Sequence, residues 1–156
     1  MLQEMRRKDN LLSQEETVAI LKNGSYGILS TANAAGEPYG VPVNYCYENG
    51  HIYFHGTAEG GMKARNLGQN PNVSFCVIGK AEIVADKFTT RYASAIAFGK
   101  AKLVGDPEKT EVLKKFVEKY SAPFRVEGAK FIENLLDKCA VYDIEVTGLS
   151  GKAHRV

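Results

Sequence analysis

Between Gly40 and Asn72 the chain reads GVPVNYCYENGHIYFHGTAEGGMKARNLGQNPN, and this stretch constrains the fold more than any other. Val41, Val43, Tyr45 and Tyr47 alternate with Pro42, Asn44 and Cys46. Asn49-Gly50 suits the two positive-φ positions of a hairpin turn, and Ile52 to His55 returns with the same two-residue period. The expectation is a pair of half-buried strands. Gly56-Thr57-Ala58-Glu59-Gly60-Gly61 then leaves backbone N–H groups uncovered. Lys63 and Arg65 follow in the first turn of an expected helix, whose dipole favours negative charge at that end. Strands, loop and helix in this order are suited to an anionic ligand.

The rest of the chain extends the same pattern. Ser13-Gln14-Glu15-Glu16 has the spacing of a capping box, and Val18, Ile20 and Leu21 give a first helix over Ser13 to Lys22, stopped by Asn23-Gly24. Ser25 to Thr31 reads as a strand, Asn33 to Glu37 as a turn around Gly36, and Gly61 to Leu67 as a short helix. Asn72 to Ile78 and Thr90 to Val104 alternate as further strands, with Gly99 marking a bend or bulge in the second. Asp106-Pro107 is expected to cap a helix carrying Val112, Leu113, Phe116, Val117 and Tyr120 at helical spacing, up to the Ser121-Ala122-Pro123 break. A helix around Glu127 to Leu136 and a last strand over Cys139 to Thr147 complete the chain, before a short basic tail. Six mostly meander-connected strands with helices outside fit a mainly β fold, a small closed or split antiparallel barrel, because closure removes exposed edges.

Bulk properties narrow the class. With 156 residues, 44% of them hydrophobic and 24% charged, one domain over residues 1–156 is the expectation. A net charge of +2 is too small to suggest a wide electrostatic footprint for nucleic acid, so no nucleic-acid partner is expected. Cys46, Cys76 and Cys139 lie far apart in apolar runs, without metal or redox spacing, and read as buried thiols of a reducing compartment. Met1 to Asn10 is charged and no run approaches the ~20 apolar residues of a membrane span, so a cytoplasmic protein is expected. The three histidines, His51, His55 and His154, show no metal-ligand spacing, and no Ser-His-Asp arrangement is legible.

With these elements placed, the chain resembles the pyridoxamine 5′-phosphate oxidase-like FMN-binding split barrels, in the branch related to 5-nitroimidazole resistance proteins. The resemblance spans nearly the whole chain. It rests on Met5-Arg6-Arg7-Lys8-Asp9, Tyr26-Gly27-Ile28-Leu29-Ser30-Thr31, Pro38 to Tyr45, Ile52-Tyr53-Phe54-His55-Gly56 and Lys87-Phe88-Thr89-Thr90-Arg91-Tyr92. It implies a six-stranded antiparallel split β-barrel and a homodimer with FMN, or FAD through the same phosphate contacts, at the subunit interface. Val41, Pro42, Val43 and Asn44 fall on the family's flavin-facing strand, Phe54 and His55 on its neighbour, and Lys63 in the phosphate-binding segment; Arg91 is a second candidate for the phosphate. Backbone groups of a strand can read the pyrimidine edge of a flavin, and an ammonium can meet a phosphate.

The departures are as informative. The oxidases proper carry an Arg and a Lys where this strand has Gly40 and Asn44, and a basic final segment that Gly151 to Val156 does not match. Oxidation of vitamin B6 is therefore not the expected reaction. The expected activity is reduction of a small organic electrophile such as a nitro-aromatic, with His55 as the candidate catalytic residue, since its near-neutral pKa suits proton delivery. The flavin carries the electrons and no amino-acid nucleophile is required. Beside each functional reading stands a structural one: Lys63 as a solvated helix-start lysine, His55 as a hydrogen-bonded strand-end residue, the tyrosines as barrel-face residues. The alternative for the whole chain is a flavin- or haem-binding module that stores or senses its ligand without turnover.

Overall fold

The computed structural model describes residues 6–155; Met1 to Met5 of the charged start, with Val156, lie outside the described residues. A 7-stranded antiparallel sheet dominates, built of β1 (Gly27–Ala32), β2 (Pro38–Val43), β3 (Cys46–Glu48), β4 (His51–Thr57), β5 (Asn72–Val84), β6 (Thr89–Val104) and β7 (Cys139–His154). The strand order is β2-β1-β5-β6-β7-β4-β3. β2 and β3 are thus the two edges of the sheet, yet Asn44 and Tyr45 alone join them. A two-residue link reaches only about 10 Å, so the sheet must roll until its edges nearly meet. They face each other without pairing, and the result is a split barrel.

This explains the main difference from the sequence reading. The run Val41 to Tyr47 was expected as one strand paired with Ile52 to His55. Instead Val41 and Val43 pair with Leu29 and Gly27 on β1, while Cys46 to Glu48 pair with β4, giving seven strands in place of six. A straight strand cannot serve both edges of a rolled sheet, so it breaks where they meet. The hairpin turn itself forms as the Asn-Gly pair dictates, with Asn49 at φ 48° and Gly50 at φ 86°.

Three boundaries also move. β5 runs on to Val84 because a bulge between Ile78 and Lys80 absorbs Gly79. β7 continues to His154, so the expected basic tail is strand, pairing Gly151 with Ala95 and His154 with Tyr92. The register shift at Phe98/Gly99 is the bulge that Gly99 suggested. Asp106 does not cap the next helix: that helix begins at Glu108, and the Asp106 carboxylate accepts from Thr110 Oγ1 at 2.7 Å instead.

Four helices flank the barrel: α1 (Gln14–Asn23), α2 (Met62–Gln69), α3 (Glu108–Ser121) and α4 (Arg125–Leu135). Ser13 and Glu16 form the expected capping box on α1, a device worth about 1 kcal/mol. Two apolar cores result. The barrel interior holds Leu29, Tyr45, Ile52, Phe54, Phe75, Val77, Tyr142 and Ile144, with Leu21 of α1 and Leu67 of α2 packed into it. The second core lies between the outer face of β4 and β7 and the α3–α4 hairpin, with Tyr53, Val141, Val112, Leu113, Phe116 and Ile132. β4 and β7 are therefore covered on both faces, by barrel and by helices. Gly128 lets α4 approach α3 closely, since a Cβ there would lie 2.5 Å from Val117 Cγ1. Cys46 is buried, Cys76 and Cys139 are half-buried, and all three are free thiols.

Candidate functional site

The split between the sheet edges is held by the C-terminal turn of α3. Tyr45 N donates to Tyr120 Oη at 3.0 Å, and Tyr120 Oη in turn lies 2.7 Å from Ser25 O and 2.8 Å from Tyr45 O. Lys119 Nζ donates to Gly24 O at 2.7 Å and Tyr45 O at 2.9 Å, and sits 4.2 Å from the Tyr45 ring centroid. Tyr45 Oη completes the arrangement by donating to Leu21 O at 2.6 Å. At the β2–β3 break both backbone groups of the buried Tyr45 thus find a side-chain partner, as buried polar groups require. Lys119 and Tyr120 were not singled out in the sequence; Tyr120 was read only as part of the apolar face of α3.

Beside this seam lies His55. Its ring stands edge-on to Phe116, centroids 4.7 Å apart at 76°. Burial first, and the Lys63 ammonium second, push its pKa below the ordinary 6.5. The neutral imidazole, a hydrogen-bonding group, is favoured in this setting. Lys63 reaches this place because Gly56 has no side chain; a Cβ there would lie 3.0 Å from Lys63 Nζ. Among the described residues Lys63 makes no ion pair. The start of α2 around it has no side-chain cap and no acidic residue, whereas α1, α3 and α4 all carry acids in their first turns.

The remaining predicted residues divide. Asn44 is exposed at the seam, where its Nδ2 donates to Ser25 O at 3.0 Å, so it is not a buried group awaiting a ligand. Val41 and Val43 turn half-buried against the barrel core, and Pro42 faces outward on the free edge of β2. Phe54 is 0% exposed and stacked on Tyr142 at 5.0 Å, so its side chain belongs to the barrel interior. Arg91 lies at the opposite end of β6 from Val104, whose partner Val141 also pairs with His55. It pairs with Glu82 at 3.0 Å and lines a separate crevice with Glu16 and Arg155. Within one chain, the structure brings together Asn44, His55 and Lys63 near the β2 edge, and leaves Arg91 apart.

His51 serves another purpose. Its Nδ1 lies 2.9 Å from Asp143 Oδ1, and Lys102 Nζ lies 3.4 Å from Asp143 Oδ2. The Asp143 carboxylate is 1% exposed, and these two partners compensate its burial. No group of acids, histidines and cysteines among the described residues could hold a metal ion. No helix among them is long and apolar enough to cross a membrane.

Between His55 and the helix pair opens a cavity of about 320 Å³, lined by Asn44, His55, Phe116, Val117, Tyr120, Phe131, Leu135, Cys139 and their neighbours. Sequence reasoning placed the α3 and α4 residues in the core by their helical spacing, and nothing in that spacing distinguishes a wall of a cavity from a packed face.

Fold and comparison agree on the class. The family model described as pyridoxamine 5′-phosphate oxidase matches residues 13–153, and the chain belongs to that family. Among solved structures, a conserved hypothetical protein of Mycobacterium tuberculosis is similar at a TM-score of 0.81 with 23% identity, over 97% of this chain and 91% of that one. A candidate 5-nitroimidazole antibiotic resistance protein of Bacteroides thetaiotaomicron gives 0.71 with 23% identity, over 97% and 96%. An FAD-binding protein of Mesorhizobium loti gives 0.67 with 21% identity, over 93% and 97%. A comparison with curated proteins gives no match.

Proposed function

We propose that the protein is a cytoplasmic, homodimeric flavoprotein that binds FMN along the split between its sheet edges and reduces a small organic electrophile of the nitro-aromatic class. The observation that carries this reading is the Lys63 ammonium, without an ion pair among the described residues, laid across Gly56 at an uncapped helix start with no acid in its first turn, beside His55 and the free edge of β2. The donor set fits the group. An edge strand offers unpaired N–H and C=O groups to a ring that has both donors and acceptors, and an ammonium with helix N–H groups suits a phosphate. Membership of the family and the names of the similar structures point the same way. A bound flavin supplies two-electron chemistry, drawn from a nicotinamide donor and delivered to the substrate.

The chain's own residues bind, orient and exclude water. Lys63 neutralises the phosphate. The Pro38–Val43 edge fixes the ring by backbone hydrogen bonds, and Asn44 ends that edge with its amide already anchored on Ser25. His55, kept neutral, offers a hydrogen bond to the ring or to the substrate at its face. Tyr120 and Lys119 hold the seam rigid, so that these groups keep their spacing. Arg91 contributes to a phosphate site only if a second copy supplies it, which ties that assignment to the dimer.

The test is a titration of purified protein with FMN, followed by fluorescence quenching, for the natural chain and Lys63→Ala. Loss of a charge-assisted contact should weaken binding roughly tenfold to a hundredfold while the fold is kept. An unchanged affinity removes Lys63 from the site. Oxidation of NADH or NADPH coupled to loss of a nitro-aromatic checks turnover; flavin binding without it reduces the protein to a binding module.

A further inference from the structure

We propose that the open cavity bounded by α3, α4 and β4 is a pocket for a small, uncharged aromatic molecule, whose hydrogen-bonding group meets His55 and Asn44. Calling that molecule the substrate rests on the flavoenzyme reading above; the pocket itself does not.

Four observations converge. The volume of about 320 Å³ is at the small end of ligand pockets, room for one or two rings and their substituents. No aspartate, glutamate, lysine or arginine lines it. A charged ligand would lose its hydration there without gaining a counter-ion, which costs several kcal/mol, whereas a neutral ring would exchange water for aliphatic and aromatic carbon. The aromatic walls are already arranged in ring-on-ring geometry: Phe116 and Tyr120 stack at 5.9 Å and 21°, and Phe131, 65% exposed, also lines the cavity.

The fourth observation concerns histidines. His51 is hydrogen-bonded to Asp143 and His154 lies 3.0 Å from Thr90 O, but neither ring nitrogen of His55 has a hydrogen-bond partner among the described residues. His55 is itself an exposed residue; its ring packs at a steep angle against Phe116, and its nitrogens are free to meet a ligand beside an apolar cavity. The Asn44 side chain, which donates to Ser25 O and meets the Tyr120 hydroxyl, lines the cavity from an exposed position beside it. A neutral imidazole and an amide can together meet an oxygen and an N–H or O–H on a bound ring. Cys139 lines the same cavity, but burial pushes its thiol above the ordinary range, so it contributes shape and not a nucleophile.

The experiment uses 4-fluoronitrobenzene and 4-fluorobenzoate as probes, with ¹⁹F line broadening as readout, on flavin-free and FMN-loaded protein. The neutral probe is expected to bind at least tenfold more tightly than the carboxylate. Leu135→Trp, which fills the cavity, should abolish that binding. Phe131→Ala, at an exposed position that leaves the fold intact, should weaken it roughly tenfold, the upper end of one aromatic contact. Neither change should alter FMN affinity. Equal binding of the two probes, or an undiminished signal in both variants, would overturn the pocket. Loss of FMN binding with Leu135→Trp, in a protein that stays folded and dimeric, would show that the cavity holds the cofactor and would also overturn it. If FMN fails to bind the natural chain while the neutral probe still does, the flavin reading falls and the aromatic pocket stands.

Discussion

The two faces of β4 and β7 meet two different kinds of cover. Inside the barrel, Phe54, Tyr142, Phe75 and Ile144 fill the space, and Phe54 is 0% exposed. Outside, the α3–α4 hairpin covers the same strands incompletely, and leaves His55, Asn44 and a cavity at the seam. The inner face is closed by rolling the sheet on itself, so its volume is set by strand number and tilt and is filled by side chains. The outer face is closed by a separate helical layer, whose distance from the sheet is set by individual contacts. Space for a small molecule is found where the packing has that freedom. In this protein the barrel interior is filled, and the cavity lies between barrel and helices.

The comparison can be broken at either face. The largest effect should come from Phe54→Ala: emptying a filled core costs about 3–5 kcal/mol, read as a shift of the chemical-denaturation midpoint. Should that change lower FMN affinity while costing under about 1 kcal/mol in stability, the interior would not be mere scaffold. Tyr120→Phe is the corresponding change at the seam. It removes the hydroxyl shared by Tyr45 N, Tyr45 O and Ser25 O, and leaving a backbone donor unpaired costs about 1–3 kcal/mol. A loss within the noise of a surface substitution would mean that α3 does not hold the split.

The smallest effect is on pH dependence. His55 has a folded-state pKa lowered by burial first and Lys63 second. Its contribution to stability is therefore complete above the unfolded value of 6.5 and is lost as pH falls through the lower folded value, because the unfolded chain takes the proton first. An NMR titration of His55 should give a value below 6.5, raised in Lys63→Met but not to 6.5, since burial is the larger cause. Full recovery in that variant would reverse the order of the two causes.

Much of this was written in local sequence. Asn49-Gly50 dictates a turn through two positive φ values, Ser13 and Glu16 dictate a helix start, and the period of Val41 to His55 dictates strands, because each is settled by interactions within a few residues. The family could be recognised from short motifs in order. The chain alone also delivered Lys63 and His55 as neighbours of a Gly-rich loop, since Gly56 lies beside one and seven residues before the other. What it did not contain was the rolled sheet that sends Val43 and Cys46 to opposite edges, the Lys119 and Tyr120 contacts that hold the break, and the separation of Arg91 from Lys63. Those depend on strand order and on residues 75 to 95 positions apart, such as Tyr45 with Tyr120 and Ser25 with Tyr120. The cavity is a further step removed. It is space left over when two layers pack, and the same leucines and phenylalanines at the same helical spacing would line it or fill it according to how closely Gly128 lets α4 approach α3.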